Sequence, residues 1–132
     1  MDPDRDGCGL LWCAPVAPLE GEHAARMTQI ASTILLEHGF EPAISLTLIT
    51  ERSLCCVVSI SYDRSEAGED QRAMACYQHL LQALTECGYY SYRLGIQAMG
   101  EADSHDGYSA LLRTIKNAVD PNGILAPGRY VS

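Results

Sequence analysis

The sequence has little positive charge. Nine Lys and Arg residues stand against 17 Asp and Glu residues, which gives a formal net charge of -8 over 132 residues. A surface of this sign repels a phosphate backbone, and the few cations form no cluster along the chain. We therefore expect no nucleic-acid partner.

Long apolar runs are also missing. No stretch approaches the roughly 20 apolar residues that a membrane-spanning helix needs, so we expect no membrane partner. A secretory leader is not visible, and six cysteines without a framework spacing are typical of free thiols in a reducing compartment. These observations predict a cytoplasmic location.

Metal-ligand motifs are absent as well. The cysteines show no CxxC spacing and no His-rich partner segment, so we expect no metal site. Cys55 and Cys56 are adjacent, and in a strand they would point to opposite faces. The four histidines, of which three fall on helical patterns, are expected at the surface rather than as catalytic bases.

What the chain does contain is a regular alternation of strand and helix patterns. Helical spacing of apolar residues predicts helices over 20–39, 73–88 and 108–119, and the last must end before Pro121. Strand patterns cover residues 10–16, 54–62 and 89–96, with a half-buried strand over 43–50, where Ile44 and Leu46 alternate with polar residues. A polar loop is expected over residues 99–106.

This order predicts an α+β fold in one domain over residues 1–132. It is the ferredoxin-like βαββαβ arrangement, an antiparallel sheet with helices on one face, followed by a C-terminal helix and an ordered tail. The other face of such a sheet is open and suits the docking of a ligand or a second domain. A non-catalytic module for dimerisation or small-ligand binding is therefore one reading of the chain.

A second reading comes from local motifs. The tail from Asp120 to Arg129 holds two prolines and two glycines, which predicts a stiff, shaped segment. Together with Trp12-Cys13-Ala14-Pro15-Val16, Tyr62-Asp63-Arg64 and the run from Gly88 to a Tyr92-Arg93 pair, it resembles the C-terminal cap domain of the vanillyl-alcohol oxidase and p-cresol methylhydroxylase family.

The resemblance implies site residues. Tyr92 would bind the phenolate oxygen of a small aromatic substrate, and Arg93 would lie beside the flavin and the phenolate, so both are expected to be catalytic. Arg93 and Arg129 would bind the FAD cofactor, with Arg129 near its pyrimidine side; an arginine offers a permanent charge and several fixed donors. In the substrate pocket, Leu46 and Cys55 stand where p-cresol-type enzymes have an acidic residue and a histidine, which removes general acid/base groups.

The resemblance also implies a partner. The family's FAD-binding domain lies N-terminal to the matched region, and this sequence has no Gly-rich loop between a strand and a helix to replace it. We expect that domain in cis or in trans, and the chain to be inactive without it. The function expected is the substrate-capping part of an FAD-dependent oxidoreductase that acts on para-substituted phenols or related alcohols by hydride transfer; a homodimer is possible.

Overall fold

The computed structural model describes residues 5–102, 107–127 and 129. The chain packs as two compact units, one up to Arg93 and one from Leu94 onward. The single domain over residues 1–132 stays a prediction. The elements in chain order are β1 (Cys8–Cys13), β2 (Pro15–Pro18), α1 (Gly21–Glu37), β3 (Ala43–Thr50), β4 (Ser53–Asp63), α2 (Glu69–Glu86), β5 (Tyr90–Ser91), a 3-10 helix (Ile96–Ala102) and α3 (Gly107–Val119).

The first strand passes through a proline. β1 and β2 both pair antiparallel with β4, and Cys13 faces Val58 while Val16 faces Cys55. The register is therefore the same on both sides of Pro15. Proline has no N–H to give to the ladder, which interrupts the bonding without shifting the strand. The strand expected over 10–16 extends from Cys8 to Pro18, with one break in the ladder before Pro15.

The remaining pairings complete one antiparallel sheet. β3 pairs with the other side of β4, and β5 pairs with the other side of β2. The order across the sheet is thus β5, then β1 with β2, then β4, then β3. This is the ferredoxin-like arrangement, with β3 and β4 as a hairpin, and the prediction of the fold class is confirmed.

Both helices of the first unit end in the same way. Gly39 follows α1 with a φ of 73°, and the Phe40 N–H reaches back to the Leu35 carbonyl at 2.8 Å. Gly88 follows α2 with a φ of 82° and the same bonding pattern. A left-handed residue at this place lets the chain close on the last carbonyls of the helix, and glycine adopts it without strain. The helix ends predicted at these two glycines are correct.

The core lies between the two helices and one face of the sheet. β4 contributes Cys56, Val58 and Ile60, none of them accessible to solvent, and each helix contributes a buried apolar stripe: Met27, Ala31, Ile34 and Leu35 from α1, and Ala73, Cys76, Tyr77, Leu80 and Leu84 from α2. The expected half-burial of β3 is wrong. Leu46 is 46% exposed and Leu48 is 67% exposed, because β3 is the edge strand and the helices cover the central strands.

The chain after α2 differs from the sequence prediction. The strand expected over 89–96 shrinks to Tyr90–Ser91, because β5 pairs only with Pro15 and Val16 before the chain bends. The loop expected over 99–106 is a 3-10 helix up to Ala102, with Met99 buried; residues 103–106, including His105, lie outside the described residues.

The last helix ends where the sequence predicts, at Val119, before Pro121. Its apolar stripe is largely open, since Leu111, Ile115 and Val119 are each more than half exposed. No helix among the described residues has both the length and the apolar content for crossing a membrane.

Candidate functional site

The face of the sheet opposite the helices carries the candidate site. Cross-strand partners in an antiparallel sheet point to the same face. Because Cys56, Val58 and Ile60 face the helices, the alternate positions of β4 and their partners define the open face. Its central side chains are Trp12, Val16, Ala43, Ser45, Thr47, Cys55, Val57, Ser59 and Tyr90. None of these is charged.

Two exposed aromatic groups stand out on the open face. Trp12 pairs with Ser59 and is 62% exposed, and Tyr90 pairs with Val16 and is 66% exposed. Large aromatic side chains normally bury much of their surface. The centre of this face is therefore uncharged and carries hydroxyl, thiol, aliphatic and aromatic side chains, a surface suited to a flat, neutral ligand or to another domain.

Tyr92 and Arg93 follow the edge strand of this sheet. The Tyr92 N–H donates to the Ala14 carbonyl at 3.2 Å, which continues the ladder one residue beyond β5, and the chain then bends. Tyr92 is 65% exposed and Arg93 is also exposed. Within the described part of the chain, the Arg93 guanidinium has no hydrogen-bond or ion-pair partner. An exposed phenol and an exposed guanidinium thus follow each other in the chain at an anchored bend.

The structure does not bring Leu46 and Cys55 together. Leu46 pairs with Cys56 and therefore lies on the helix side, whereas Cys55 pairs with Thr47 on the open face. The β3 residue beside Cys55 is Thr47, which the sequence motifs did not indicate. The alternation of side chains along β3 could have indicated Thr47, because Ser45 and Thr47 share one face of the strand and Leu46 lies on the other.

The Cys55 thiol is a poor proton acceptor. It is 4% exposed, and burial raises its pKa above the ordinary value of 9.0. Burial likewise raises the pKa of Cys56 to about 11. Both thiols therefore stay protonated near neutral pH, since a thiolate is disfavoured where solvent is excluded. The centre of the open face accordingly offers neither a base nor a permanent charge.

Arg129 belongs to the second unit and follows a tail that is held by hydrogen bonds to Asp120. Asp120, 5% exposed, accepts hydrogen bonds from the Ile124 and Leu125 N–H groups, each at 2.9 Å, and forms an ion pair with Lys116. The hydrogen bond from Lys116 is the main cause that holds the pKa of Asp120 below its ordinary value. Arg129 itself is exposed, and its Nη1 lies 3.9 Å from the Met99 Sδ atom.

The three described histidines contact side chains from other parts of the chain. His38 Nε2 lies 3.3 Å from His79 Nδ1, and His23 Nδ1 lies 2.9 Å from the Tyr89 hydroxyl. Among the residues that the structure describes, one group of potential metal ligands comes close together, formed by Glu20, Glu22 and His23 at the start of α1. Its two carboxylates are exposed.

Comparison with known proteins gives this geometry a context. The chain is 46% identical over 130 residues to 1'-carboxy-chondrochloren decarboxylase of Chondromyces crocatus, covering 98% of this chain and 24% of that protein. It is 33% identical over 127 residues to the 4-cresol dehydrogenase [hydroxylating] flavoprotein subunit of Pseudomonas putida, covering 95% of this chain and 24% of that protein. No family model matches the chain.

Two solved structures superpose on nearly the whole chain. The crystal structure of p-cresol methylhydroxylase with substrate bound superposes with a TM-score of 0.87 at 32% identity, over 94% of this chain and 24% of that chain. The isoeugenol complex of 4-ethylphenol oxidase from Gulosibacter chungangensis gives a TM-score of 0.85 at 26% identity, over 96% and 25%.

The fold and the comparisons define a ferredoxin-like α+β segment homologous to part of larger oxidoreductases, among them a flavoprotein subunit. The resemblance to the vanillyl-alcohol oxidase and p-cresol methylhydroxylase family that the sequence predicts is confirmed. The chain spans about a quarter of the length of the relatives it matches.

Proposed function

We propose that the chain is the substrate-capping part of an FAD-dependent oxidoreductase that acts on para-substituted phenols or related alcohols. The observation that carries the proposal is the match of nearly the whole chain to one quarter of enzymes named for 4-cresol and 4-ethylphenol. An uncharged, aromatic-bearing sheet face, followed at its edge strand by an exposed tyrosine and an exposed arginine, supports it.

Tyr92 and Arg93 are proposed to hold the substrate's phenolate oxygen. The Tyr92 hydroxyl can donate a hydrogen bond to that oxygen, and the Arg93 guanidinium can offset its negative charge. The exposure of both side chains supports this role, because a ligand can reach them directly. A bend anchored to Ala14 limits the freedom that the two groups would lose on binding.

Two exposed arginines, Arg93 and Arg129, also suit the binding of an anionic flavin. Arg93 and Arg129 are exposed, and a guanidinium stays charged under all ordinary conditions. When bound, FAD supplies the acceptor for the hydride that leaves the substrate carbon. The two arginines would then stabilise the negative charge that develops on the cofactor, as preorganised charges do in a site closed to water.

An FAD-binding domain, in cis or in trans, is the proposed partner. The matched segment is a quarter of each relative, and the open sheet face offers a surface on which a second domain could close the substrate site. Dimerisation and a cytoplasmic location, both expected from the sequence, remain predictions within this proposal.

The neutral centre of the open face bears on the substrate. Thr47, Cys55 and Val16 form one cross-strand row, and Ser45 and Val57 are partners in the next. A wall without a carboxylate or an imidazole supplies no proton acceptor to the carbon para to the hydroxyl. We infer that it contacts an uncharged, apolar part of the substrate and that proton transfer depends on groups elsewhere.

Decarboxylation is a second candidate reaction. The relative at 46% identity is named as a decarboxylase of a carboxylated compound, and Arg93 suits a carboxylate because guanidinium and carboxylate groups pair through two parallel hydrogen bonds. A carboxyl-labelled phenolic acid separates the two reactions: release of labelled CO₂ supports decarboxylation, and a labelled product that keeps its carboxyl group supports oxidation at carbon.

The decisive experiment is reconstitution with an FAD-binding domain from a relative. The chain is purified alone and after coexpression with that domain, and the visible spectrum and phenol oxidation are recorded. We expect flavin bands and turnover only with both parts. Flavin binding with no turnover and no spectral response to any phenol, or no complex at all, would instead favour the non-catalytic binding module.

Matched tyrosine variants then test the site. Tyr92→Phe removes one hydroxyl, and Tyr90→Phe is its control, because Tyr90 is two residues away and equally exposed. Loss of a hydrogen bond to a charged oxygen corresponds to roughly a tenfold or larger fall in kcat/KM. Equal effects of the two variants would contradict the role of Tyr92. Arg93→Lys keeps the charge and loses the fixed donor geometry, so it should retain part of the activity that Arg93→Gln loses.

A further inference from the structure

One carboxylate organises the chain after α3. Asp120 follows the last helical residue, and its N–H donates to the Lys116 carbonyl at 2.8 Å. Its side chain then turns towards the residues ahead: Oδ1 accepts from the Ile124 N–H and Oδ2 from the Leu125 N–H. The end of a rigid helix is in this way tied to backbone four and five residues further on.

Lys116 completes the connection. Its ammonium group donates both to Asp120 Oδ2 and to the Leu125 carbonyl oxygen. Both backbone polar groups of Leu125 are thus held by one ion pair. Within the loop, the Gly123 N–H donates to the Asp120 carbonyl at 3.0 Å across a turn that has Pro121 at its second position. Proline fits this position because its fixed φ suits the turn.

Arg129 lies four residues beyond the fixed point at Leu125. The Arg129 N–H donates to the Ala126 carbonyl at 3.2 Å, which ties it back towards Leu125. With so short a connection, the place of the Arg129 backbone depends on the loop that Asp120 closes. A cation that acts on a charge in a bound cofactor must be held in advance, since reorganisation during the reaction would cost much of its effect.

We propose that Asp120 is a positioning residue for Arg129: with Lys116, its carboxylate fixes the tail so that the guanidinium meets the anionic part of the bound flavin. The inference rests on the proposed function, because it takes the flavin as the group that Arg129 serves. Asp120 itself touches neither flavin nor substrate in this account.

A double-mutant cycle tests the coupling. The flavin midpoint potential is measured in the complex of the chain with an FAD-binding domain for the wild type, Asp120→Asn, Arg129→Gln and the double variant. Each single change should lower the potential, because the reduced, anionic flavin loses a cation. The double variant should match Arg129→Gln alone, since Asp120 acts through Arg129. Additive shifts would overturn the proposal.

Asp63→Asn is the matched control. Asp63 also accepts a backbone N–H at a turn, from Ser65 at 2.9 Å, but it lies at the end of β4 in the first unit. This change should leave the potential as it is. An equal shift in Asp63→Asn and Asp120→Asn would mean that the loss of any turn carboxylate has the same effect, and would overturn the specific role of Asp120.

The outcomes separate the inference from the function on which it rests. An unchanged potential in Arg129→Gln would remove Arg129 from the flavin site and contradict that part of the proposed function. A lowered potential in Arg129→Gln with none in Asp120→Asn would overturn only the positioning role. If Asp120→Asn reduces the amount of folded protein, Lys116→Met takes its place in the cycle. Lys116→Met removes the ammonium group and leaves the Asp120 carboxylate.

Amide hydrogen exchange tests, without any flavin, whether the hydrogen bonds of Asp120 hold the tail. In the chain alone, the Ile124 and Leu125 amides should exchange about tenfold faster in Asp120→Asn than in the wild type, the equivalent of one net hydrogen bond. The Tyr92 amide, bonded to Ala14 in the first unit, serves as the internal reference. Unchanged exchange at both tail amides would overturn the proposal whatever the flavin potential does.

Discussion

Two leucines that face each other across the β3–β4 hairpin should differ sharply in their contribution to stability. Leu48 and Leu54 are direct cross-strand partners on the helix side of the sheet, yet Leu48 is 67% exposed and Leu54 is 4% exposed. They share residue type, sheet face and register. Burial is the variable that separates them, which makes Leu48→Ala a matched control for Leu54→Ala.

The magnitudes follow from burial. Complete burial of a leucine side chain contributes about 1.5–3 kcal/mol, and the cavity left by truncation raises the cost of Leu→Ala in a core to about 2–5 kcal/mol. Leu54→Ala should fall in that range. Leu48 keeps only a third of its surface from water and leaves no closed cavity, so Leu48→Ala should cost less than about 1 kcal/mol.

Urea unfolding followed by far-ultraviolet circular dichroism measures both free energies of unfolding. Equal slopes against urea concentration in the wild type and both variants would show that the differences lie in stability and not in the extent of unfolding. Equal costs for the two substitutions, or a cost below about 1 kcal/mol for Leu54→Ala, would refute the account of β3 as an uncovered edge strand and β4 as the covered centre.

Further predictions concern strain, charge, thiols and packing. Ala126 has a φ of 44°, so Ala126→Gly should stabilise the chain by about 1 kcal/mol, measured by urea unfolding, and Ala126→Val should destabilise it. Because the folded pKa of Asp120 is lowered, its contribution is present above the ordinary value of 3.8 and is lost as the pH falls through the folded value; acid unfolding of Asp120→Asn should lack this component. At pH 8, iodoacetamide with mass spectrometry should modify the half-buried Cys87 well before Cys56, whose pKa is about 11, and equal rates would contradict the burial of Cys56. Gly9→Ala should displace the Tyr62 ring, whose outer edge lies over the position of the new Cβ, and lower stability by about 1 kcal/mol; an unchanged near-ultraviolet spectrum and melting temperature would show that the ring does not cover Gly9.

The two predicted substrate-pocket residues, Leu46 and Cys55, show what sequence motifs alone can predict about a site. The resemblance aligns Leu46 and Cys55 with pocket positions, and sequence order alone gives no reason to separate them. The pairing of β3 with β4 does separate them, because Leu46 faces Cys56 and the open-face partner of Cys55 is Thr47. A slip of one residue in a strand exchanges its faces, so the register of the hairpin decides which side chains can meet one ligand.

Features encoded by neighbouring residues could be predicted from the sequence. Apolar spacing defined α1, α2 and α3, Gly39 and Gly88 ended two helices, Pro121 followed the third, and alternation defined the β3–β4 hairpin. These features depend on backbone propensity and on periods of two or 3.6 residues, which a local stretch carries whole. The element order and the motifs then pointed to the fold class and the family.

Features that depend on residues far apart in the chain follow from its three-dimensional packing. It kept the first strand in register through Pro15, left Leu46 and Leu48 uncovered at the sheet edge, and limited β5 to two residues. It also closed the tail on Asp120, through bonds that reach four and five residues past the end of α3. Burial and hydrogen-bond partners follow from which elements come to lie over one another, and no local pattern specifies that arrangement.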